Sequence, residues 1–473
     1  MASKTTDLAL LPASELVRGY KTRAFSPVEV LDASLAQIAE CNPRVNAYYL
    51  VDADGARAAA QASEKRWMAG APAGIVDGVP VGVKDNIHVA GLSSRFGSQL
   101  TPDVAQASHA PSVARLVAQG AIVLGKTNMP EYGWKATSDS PLSGNTCNPW
   151  HLGMTSGGSS AGAAAGTVLG MGALHLGTDG GGSVRIPASF CGCFGIKPTR
   201  ARVPAYPTSP LGTIAHTGPL TRTVTDAAIA LSVIAAPDTR DVYGWISPAP
   251  DYTRDLDAGV KGIKIAYSPT LGMNCQVDPD VAAAVEAAVK DLEAQGAIVE
   301  MADPPIGKAP IWAWDTIWWT GMAVQLAPYL DRADALGDPG MVRGSRDGAR
   351  ILASDLIAAQ LERARLHALF SEFHGRYDLL VTPTLPIPAF KVGQLMPDAS
   401  WGERWTNWAP FSYVFNLTQQ PAASIPCGFT KAKLPIGLQV VGAIGADALV
   451  LRACRAYERS RPIQALERPI EGR

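Results

Sequence analysis

The sequence predicts an α/β fold, a single large domain built on a mixed β-sheet, and three observations predict it. Short β-branched runs alternate with segments of helical periodicity along the chain, the pattern of strands joined by helices. The 473 residues would allow about three domains of ordinary size, yet no linker, repeat or low-complexity tract divides them. Hydrophobic residues make up 47% of the chain and charged residues 18%, below the roughly 25% of an average globular protein, which excludes a disordered chain.

Ser26-Pro27-Val28-Glu29 supplies an N-cap serine followed by proline at the first helical position, and apolar residues at helical spacing continue to about Gln61. Residues 1–65 therefore read as a helical N-terminal layer. From Val79 to Ala90 the pattern changes to short β-branched runs broken by Pro and Gly. Ala121–Leu124 is another such run, after a helix over Pro111–Gln119. Gly262–Tyr267, Ile298–Met301, Leu379–Thr382, Ala423–Ile425 and Gly437–Val441 complete the predicted strands, with a helix at Asp278–Gln295 between the first two.

Lysine and arginine number 41 against 42 aspartates and glutamates, a formal charge of -1. That balance leaves no electrostatic footprint for nucleic acid or an anionic membrane, and a small neutral partner is expected. The seven cysteines form no CxxC pair and no Cys/His spacing that suits zinc, so no metal or other cofactor is expected and a reducing cytoplasm is the economical location. Met1–Ala24 lacks the basic and apolar blocks of a signal peptide. The longest weakly charged stretch, Ala161–Gly177, is too short and too rich in glycine to span a bilayer.

Two motif matches fail on context. Gly120–Thr127 satisfies GxxxxGK[ST], which alone indicates a P-loop nucleotide hydrolase. Its four variable positions, however, are themselves an apolar strand, and buried strand amides cannot wrap a phosphate. Gly158-Ser159-Ser160-Ala161-Gly162 satisfies GxSxG, the nucleophile elbow, but residues 150–156 show no strand character. None of the downstream histidines, His175, His216, His367 and His374, sits in a recognisable acid-loop context.

Two segments carry chemistry. Lys84 lies in Val79-Pro80-Val81-Gly82-Val83-Lys84-Asp85-Asn86; among valines it loses hydration, which lowers its pKa and permits a neutral general base. A plain ion pair with Asp85 at the strand end is the competing reading. Thr178-Asp179-Gly180-Gly181-Gly182-Ser183-Val184-Arg185 places three glycines before a serine, so unobstructed amides can curl round an oxyanion while the hydroxyl is presented. A flexible loop or phosphate nest is the alternative; Arg185, placed to lock the turn onto Asp179, argues against a floppy loop.

These segments, with Gly157–Gly162, Arg185-Ile186-Pro187-Ala188, Phe194-Gly195-Ile196-Lys197-Pro198-Thr199, Leu380–Thr384 and Gly437-Leu438-Gln439, resemble the hallmarks of the amidase signature family. The 75 residues from Lys84 to Ser159 and the 24 from Ser159 to Ser183 agree with that likeness, which covers nearly the whole chain. The resemblance implies helices on both faces of the sheet. It implies one amidase domain over 1–473, divided into the N-terminal layer, a catalytic core at about 75–235, a variable pocket region at about 300–415 and C-terminal strands and helix at about 416–460. It also implies a Ser-Ser-Lys triad: Ser183 as nucleophile, Ser159, preceded by a cis peptide bond, as proton shuttle, and Lys84 as the base. The amides of Gly180, Gly181, Gly182 and Ser183 would hold the oxyanion, with Asp179, Arg185 and Ser160 in support. Two departures stand out: Ala161 replaces a common glycine, and Gly180 replaces a larger residue, which is expected to loosen the oxyanion loop.

Seven of the 11 tryptophans fall in two windows, Trp312, Trp314, Trp318 and Trp319, then Trp401, Trp405 and Trp408. Core packing and a pocket wall both account for them; on the second reading Trp318, Trp319 and Trp405 touch substrate, as would a backbone carbonyl near Gly133 by the family likeness. The expected activity is hydrolysis of a hydrophobic or aryl amide, anilide or carbamate by a monomer or homodimer. The alternative within the family is the glutaminase subunit of a tRNA-dependent amidotransferase, which passes ammonia to a partner. A non-catalytic relative is the third reading, and the retained Lys84, Ser159 and Ser183 argue against it.

Overall fold

Eleven strands share one hydrogen-bonded sheet. A computed structural model describes residues 8–463; expectations for residues 1–7 and 464–473 lie outside the described residues. In chain order the strands are β1 (Tyr48–Val51), β2 (Pro80–Lys84), β3 (Ile122–Thr127), β4 (Leu174–Asp179), β5 (Phe194–Lys197), β6 (His216–Thr221), β7 (Lys264–Tyr267), β8 (Ile298–Met301), β9 (Leu379–Pro383), β10 (Ala422–Phe429) and β11 (Pro435–Gly442). Across the sheet the order is β1-β3-β2-β4-β6-β5-β10-β11-β9-β7-β8. The groups β3-β2-β4 and β9-β7-β8 run parallel and every other pair is antiparallel, so the sheet is mixed.

The principal helices are α1 (Ala13–Thr22), α2 (Pro27–Val45), α3 (Ala53–Met68), α4 (Pro111–Ala118), α5 (Ala161–Val168), α6 (Arg185–Cys191), α7 (Val224–Ile234), α8 (Pro279–Ala294), α9 (Ile311–Leu326), α10 (Pro339–Gly348), α11 (Ala353–His374) and α12 (Asp447–Ser460). Alternate residues of a strand face opposite sides of a sheet. Ile265 and Tyr267 of β7 join a core with α7, α8 and α12, whereas Ala266 between them joins a second core with α9 and α11. Helices therefore cover both faces. Among the described residues no helix is long and apolar enough to cross a membrane.

Several elements form where local chemistry places them. Ser26 accepts from the Glu29 amide while the Glu29 carboxylate accepts from the Ser26 amide, closing a capping box at α2. Asp278 caps α8 by accepting from the amides of Asp280 and Val281, and Gln119 ends α4. Between α2 and α3 the expected helical run from Ser26 to Gln61 is interrupted: Asn46 turns the chain through a left-handed conformation, and Tyr48–Val51 crosses to the sheet edge as β1. A four-residue aromatic and β-branched run is too short to show its period. β4, β5 and β6 were not anticipated either; almost every residue in them is buried, so no alternation marks them.

A further correction concerns residues 150–156. His151–Thr155 is a strand, paired with Cys147–Asn148 in a separate two-stranded ribbon. Because the ribbon lies outside the main sheet, the GxSxG segment does not occupy the strand-to-helix turn of a nucleophile elbow. The GxxxxGK[ST] match fails as expected, since Ile122–Thr127 is β3 and the buried Lys126 ammonium bonds the Ser94 hydroxyl and the Ile87 carbonyl.

Asp226, in the first turn of α7, accepts from the amides of Ala13 (2.9 Å) and Ser14 (3.0 Å) and so docks the start of α1. Asp226→Ala leaves both donors unpaired and is expected to cost about 1–2 kcal/mol. Amide hydrogen exchange should accelerate in α1 while β9 and β11 keep their protection.

Candidate active site

The carboxyl ends of the parallel neighbours β2 and β4 meet the start of antiparallel β6 at one edge of the sheet. This brings Lys84, the last residue of β2, beside Thr178 and Asp179 at the end of β4, and pairs His216 with Asp179. Such edges are where α/β sheets place ligands. Ser159 and Ser160 lead directly into α5, and Ser183 stands two residues before α6. The Gly158–Ser159 peptide bond is cis.

Lys84 is completely buried, with Nζ 2.7 Å from Ser159 Oγ, 3.1 Å from Ser160 Oγ and 2.9 Å from Thr178 Oγ1. The ion pair with Asp85 is not made, because β2 ends at Lys84 and Asp85 turns away to other partners. Asp85 instead accepts from the Tyr49 hydroxyl at 2.6 Å and from the amides of Arg95 and Gly97. Burial pulls the Lys84 pKa down to about 7, against the raising pull of Asp179 and Asp85. In its neutral form the amine can accept a proton from Ser159. Thr178 was not anticipated in this cluster; one threonine before an aspartate carries no pattern in a sequence.

Asp179 and Arg185 form a fully buried pair, with Nη2 2.9 Å from Oδ1 and Nε 3.0 Å from Oδ2. Burial raises the Asp179 carboxyl, but the Arg185 guanidinium outweighs it and holds the group well below the usual carboxylate range. Arg185 also donates to Ser412 O, Gln439 Oε1 and Asn416 Oδ1. The loop between the pair is thereby fixed, and the flexible-loop alternative falls.

Two loop expectations are corrected. Gly182, at φ 119°, turns its amide onto Asp179 Oδ1 at 2.7 Å, so it is not free to bind an oxyanion. The amides of Gly180, Gly181 and Ser183 have no acceptor among the described residues. Gly180 does not loosen the loop, because Trp314 Nε1 donates to its carbonyl at 2.9 Å and the Ser412 hydroxyl donates to Gly181 O at 2.6 Å.

A cavity of about 350 Å³ opens onto Ser159, Ser183, Gly180 and Gly133, with Phe96, Tyr132, Leu211, Trp318 and Met322 in its walls. Among the described residues no Asp, Glu, Lys or Arg lines it. Gly133 and Trp318 are thus at the site, and a Cβ built on Gly133 would stand 2.9 Å from Ser159 Oγ. Trp319 and Trp405 are not at this cavity; they line a separate one of about 500 Å³ with Trp134 and Trp314. Neighbouring residues of a helix point about 100° apart, and here Trp318 turns to the serine cavity and Trp319 to the other. Trp405 stands edge-on to Trp314 and donates Nε1 to Trp134 O at 3.0 Å. The loop Pro204–Leu211 also lines the serine cavity and was missed, since a Pro- and Ser-rich connection has no periodicity.

This sheet order, with a buried lysine touching a serine beside a glycine-rich loop, marks an amide-hydrolysing enzyme. The family model described as Amidase matches residues 29–451, and the chain belongs to the amidase signature family. It is 35% identical to an acylamidase of Rhodococcus erythropolis, with 96% of each chain covered. It is also 35% identical to a glutamyl-tRNA(Gln) amidotransferase subunit of Myxococcus xanthus (strain DK1622), over 98% of this chain and 99% of that protein. Among solved structures, a bacterial aryl acylamidase of the amidase signature enzymes superposes with a TM-score of 0.88 at 30% identity, again with 96% of each chain covered.

Arg185→Met strands the Asp179 carboxylate without its partner. The loss is expected to be about 3–5 kcal/mol, read as a lower urea midpoint at pH 7.

Proposed function

We propose that the chain hydrolyses neutral, largely apolar amides, anilides or carbamates through an acyl-Ser183 intermediate. The observation that carries this reading is Lys84, wholly buried and 2.7 Å from Ser159 Oγ, behind an uncharged cavity onto which Ser159 and Ser183 open. Neutral Lys84 accepts a proton from Ser159, which takes one from Ser183 as Ser183 Oγ attacks the carbonyl carbon. The amides of Gly180, Gly181 and Ser183 receive the developing oxyanion, each such donor being worth roughly 3 kcal/mol in comparable sites. The proton returns through Ser159 to the leaving nitrogen, and water then cleaves the acyl-serine by the same route in reverse. Phe96, Tyr132, Trp318 and Met322 supply the apolar surface for an acyl or aryl group.

The resemblance to the amidotransferase protein favours a second reading, release of ammonia from glutamine. A zwitterionic amino acid needs charged partners for its carboxylate and ammonium, and none of the described residues lining the cavity is charged. Turnover of a nitroanilide by the purified chain supports the first reading; glutamine turnover that depends on a partner protein replaces it with the second.

Lys84→Ala, Ser159→Ala and Ser183→Ala are each expected to lower kcat by about a thousandfold or more, with circular dichroism unchanged. A fluorophosphonate should label Ser183 and not Ser160; wild-type turnover by Ser183→Ala would overturn the mechanism. Because Lys84 must be neutral, kcat/KM should fall about tenfold per pH unit below its pKa of about 7 and level off above it. A flat profile from pH 5 to 8 would remove Lys84 as the base.

A further inference from the structure

A neutral amine carries two N–H donors and one lone pair, and for Lys84 to take the Ser159 proton that lone pair must face Ser159 Oγ, 2.7 Å away. Both N–H bonds must then go elsewhere. The Ser160 hydroxyl donates to Thr178 O at 3.2 Å and accepts from the Thr178 amide at 3.3 Å, so its remaining lone pair is what meets Lys84 at 3.1 Å. Thr178 Oγ1, 2.9 Å from Nζ, is the acceptor for the second N–H. A hydroxyl can be turned round, however, and a Thr178 hydrogen aimed at Nζ would occupy the lone pair in place of Ser159.

Asn86, two residues beyond Lys84 and half-buried in the wall of the serine cavity, answers that hydroxyl. Its Nδ2 donates to Thr178 Oγ1 at 3.0 Å, and its Oδ1 lies 3.5 Å from the same oxygen as an acceptor for the hydroxyl hydrogen. The side chain bonds nothing else among the described residues, so both polar ends of the amide converge on one hydroxyl. With its hydrogen drawn toward Asn86, Thr178 Oγ1 accepts from Lys84 in both states of the amine: from a neutral N–H before the transfer, and from the ammonium after it, when the third N–H faces Ser159. We propose that Asn86 is a positioning residue that acts through Thr178: it fixes the hydroxyl as an acceptor and so aims the Lys84 lone pair at Ser159. The inference rests on the Ser183 mechanism above. Asn86 itself neither gains nor loses a proton.

In Asn86→Ala, kcat for a nitroanilide is expected to fall about tenfold while KM changes less than about twofold. A raised KM at unchanged kcat marks a substrate contact and overturns the proposal, and so does wild-type turnover. The pH profile of the same variant is a second readout. An acceptor held against Nζ favours the ammonium, so its loss should move the kcat/KM limb, near pH 7 in the native enzyme, down by about half a pH unit or more, while Asp179 and Asp85 still act on Lys84. An unmoved limb overturns the proposal. In a Thr178→Val background the hydroxyl is already gone, and Asn86→Ala should lower kcat less than about twofold further; a second tenfold fall overturns it. Fluorophosphonate labelling separates the two levels. An unlabelled Ser183 in the native enzyme removes the mechanism itself; a labelled Ser183 with any of the overturning results removes only the role of Asn86.

Discussion

Between the end of β4 and the start of α6, the Asp179 carboxylate meets the Arg185 guanidinium with no exposure of either side chain. A buried pair of this kind contributes little net stability compared with apolar packing, since desolvation offsets the attraction. Its effect here is geometric. The carboxylate collects the amides of Gly182 and Val184, and the guanidinium reaches Ser412 O, Asn416 and Gln439 of β11. One charge pair thus ties the glycine loop, the 412–416 segment and the distant half of the sheet into a single arrangement. The amides left over, those of Gly180, Gly181 and Ser183, inherit their orientation from it.

The lysine beside that loop shows why burial alone does not make a base. Lys84 and Lys197 are both pulled to about 7, and Lys126 to about 8, by loss of hydration. Lys126 bonds the Ile87 carbonyl and Ser94, and Lys197 bonds the carbonyls of Gln420 and Pro198. A carbonyl has no proton to give. Lys84 is the one of the three whose neighbours include a hydroxyl that opens onto a cavity, and its chemistry follows from Ser159 as much as from its own desolvation.

Much of this arrangement was legible in the residues. The capping serine, the valines around Lys84, the three glycines before Ser183 and the Asp179-to-Arg185 spacing each state a local constraint, and the structure keeps each of them. What was not legible depends on neighbours distant in sequence. β1 is too short to show a period, and β4 to β6 are buried on both faces. That Gly182 spends its amide on Asp179, or that Trp318 and Trp319 divide between two cavities, follows from tertiary contacts that no spacing encodes.

Gly180 and Trp318 are such a pair. A Cβ built at position 180 would stand 2.8 Å from Cζ3 of the Trp318 ring, closer than real side chains approach one another. The indole occupies the room that a larger residue at 180 would need. The two positions are therefore coupled: a side chain at 180 requires the indole of Trp318 to shift or to be replaced by a smaller group. Because Gly180 and Trp318 both line the serine cavity, a change at either position reshapes the same wall.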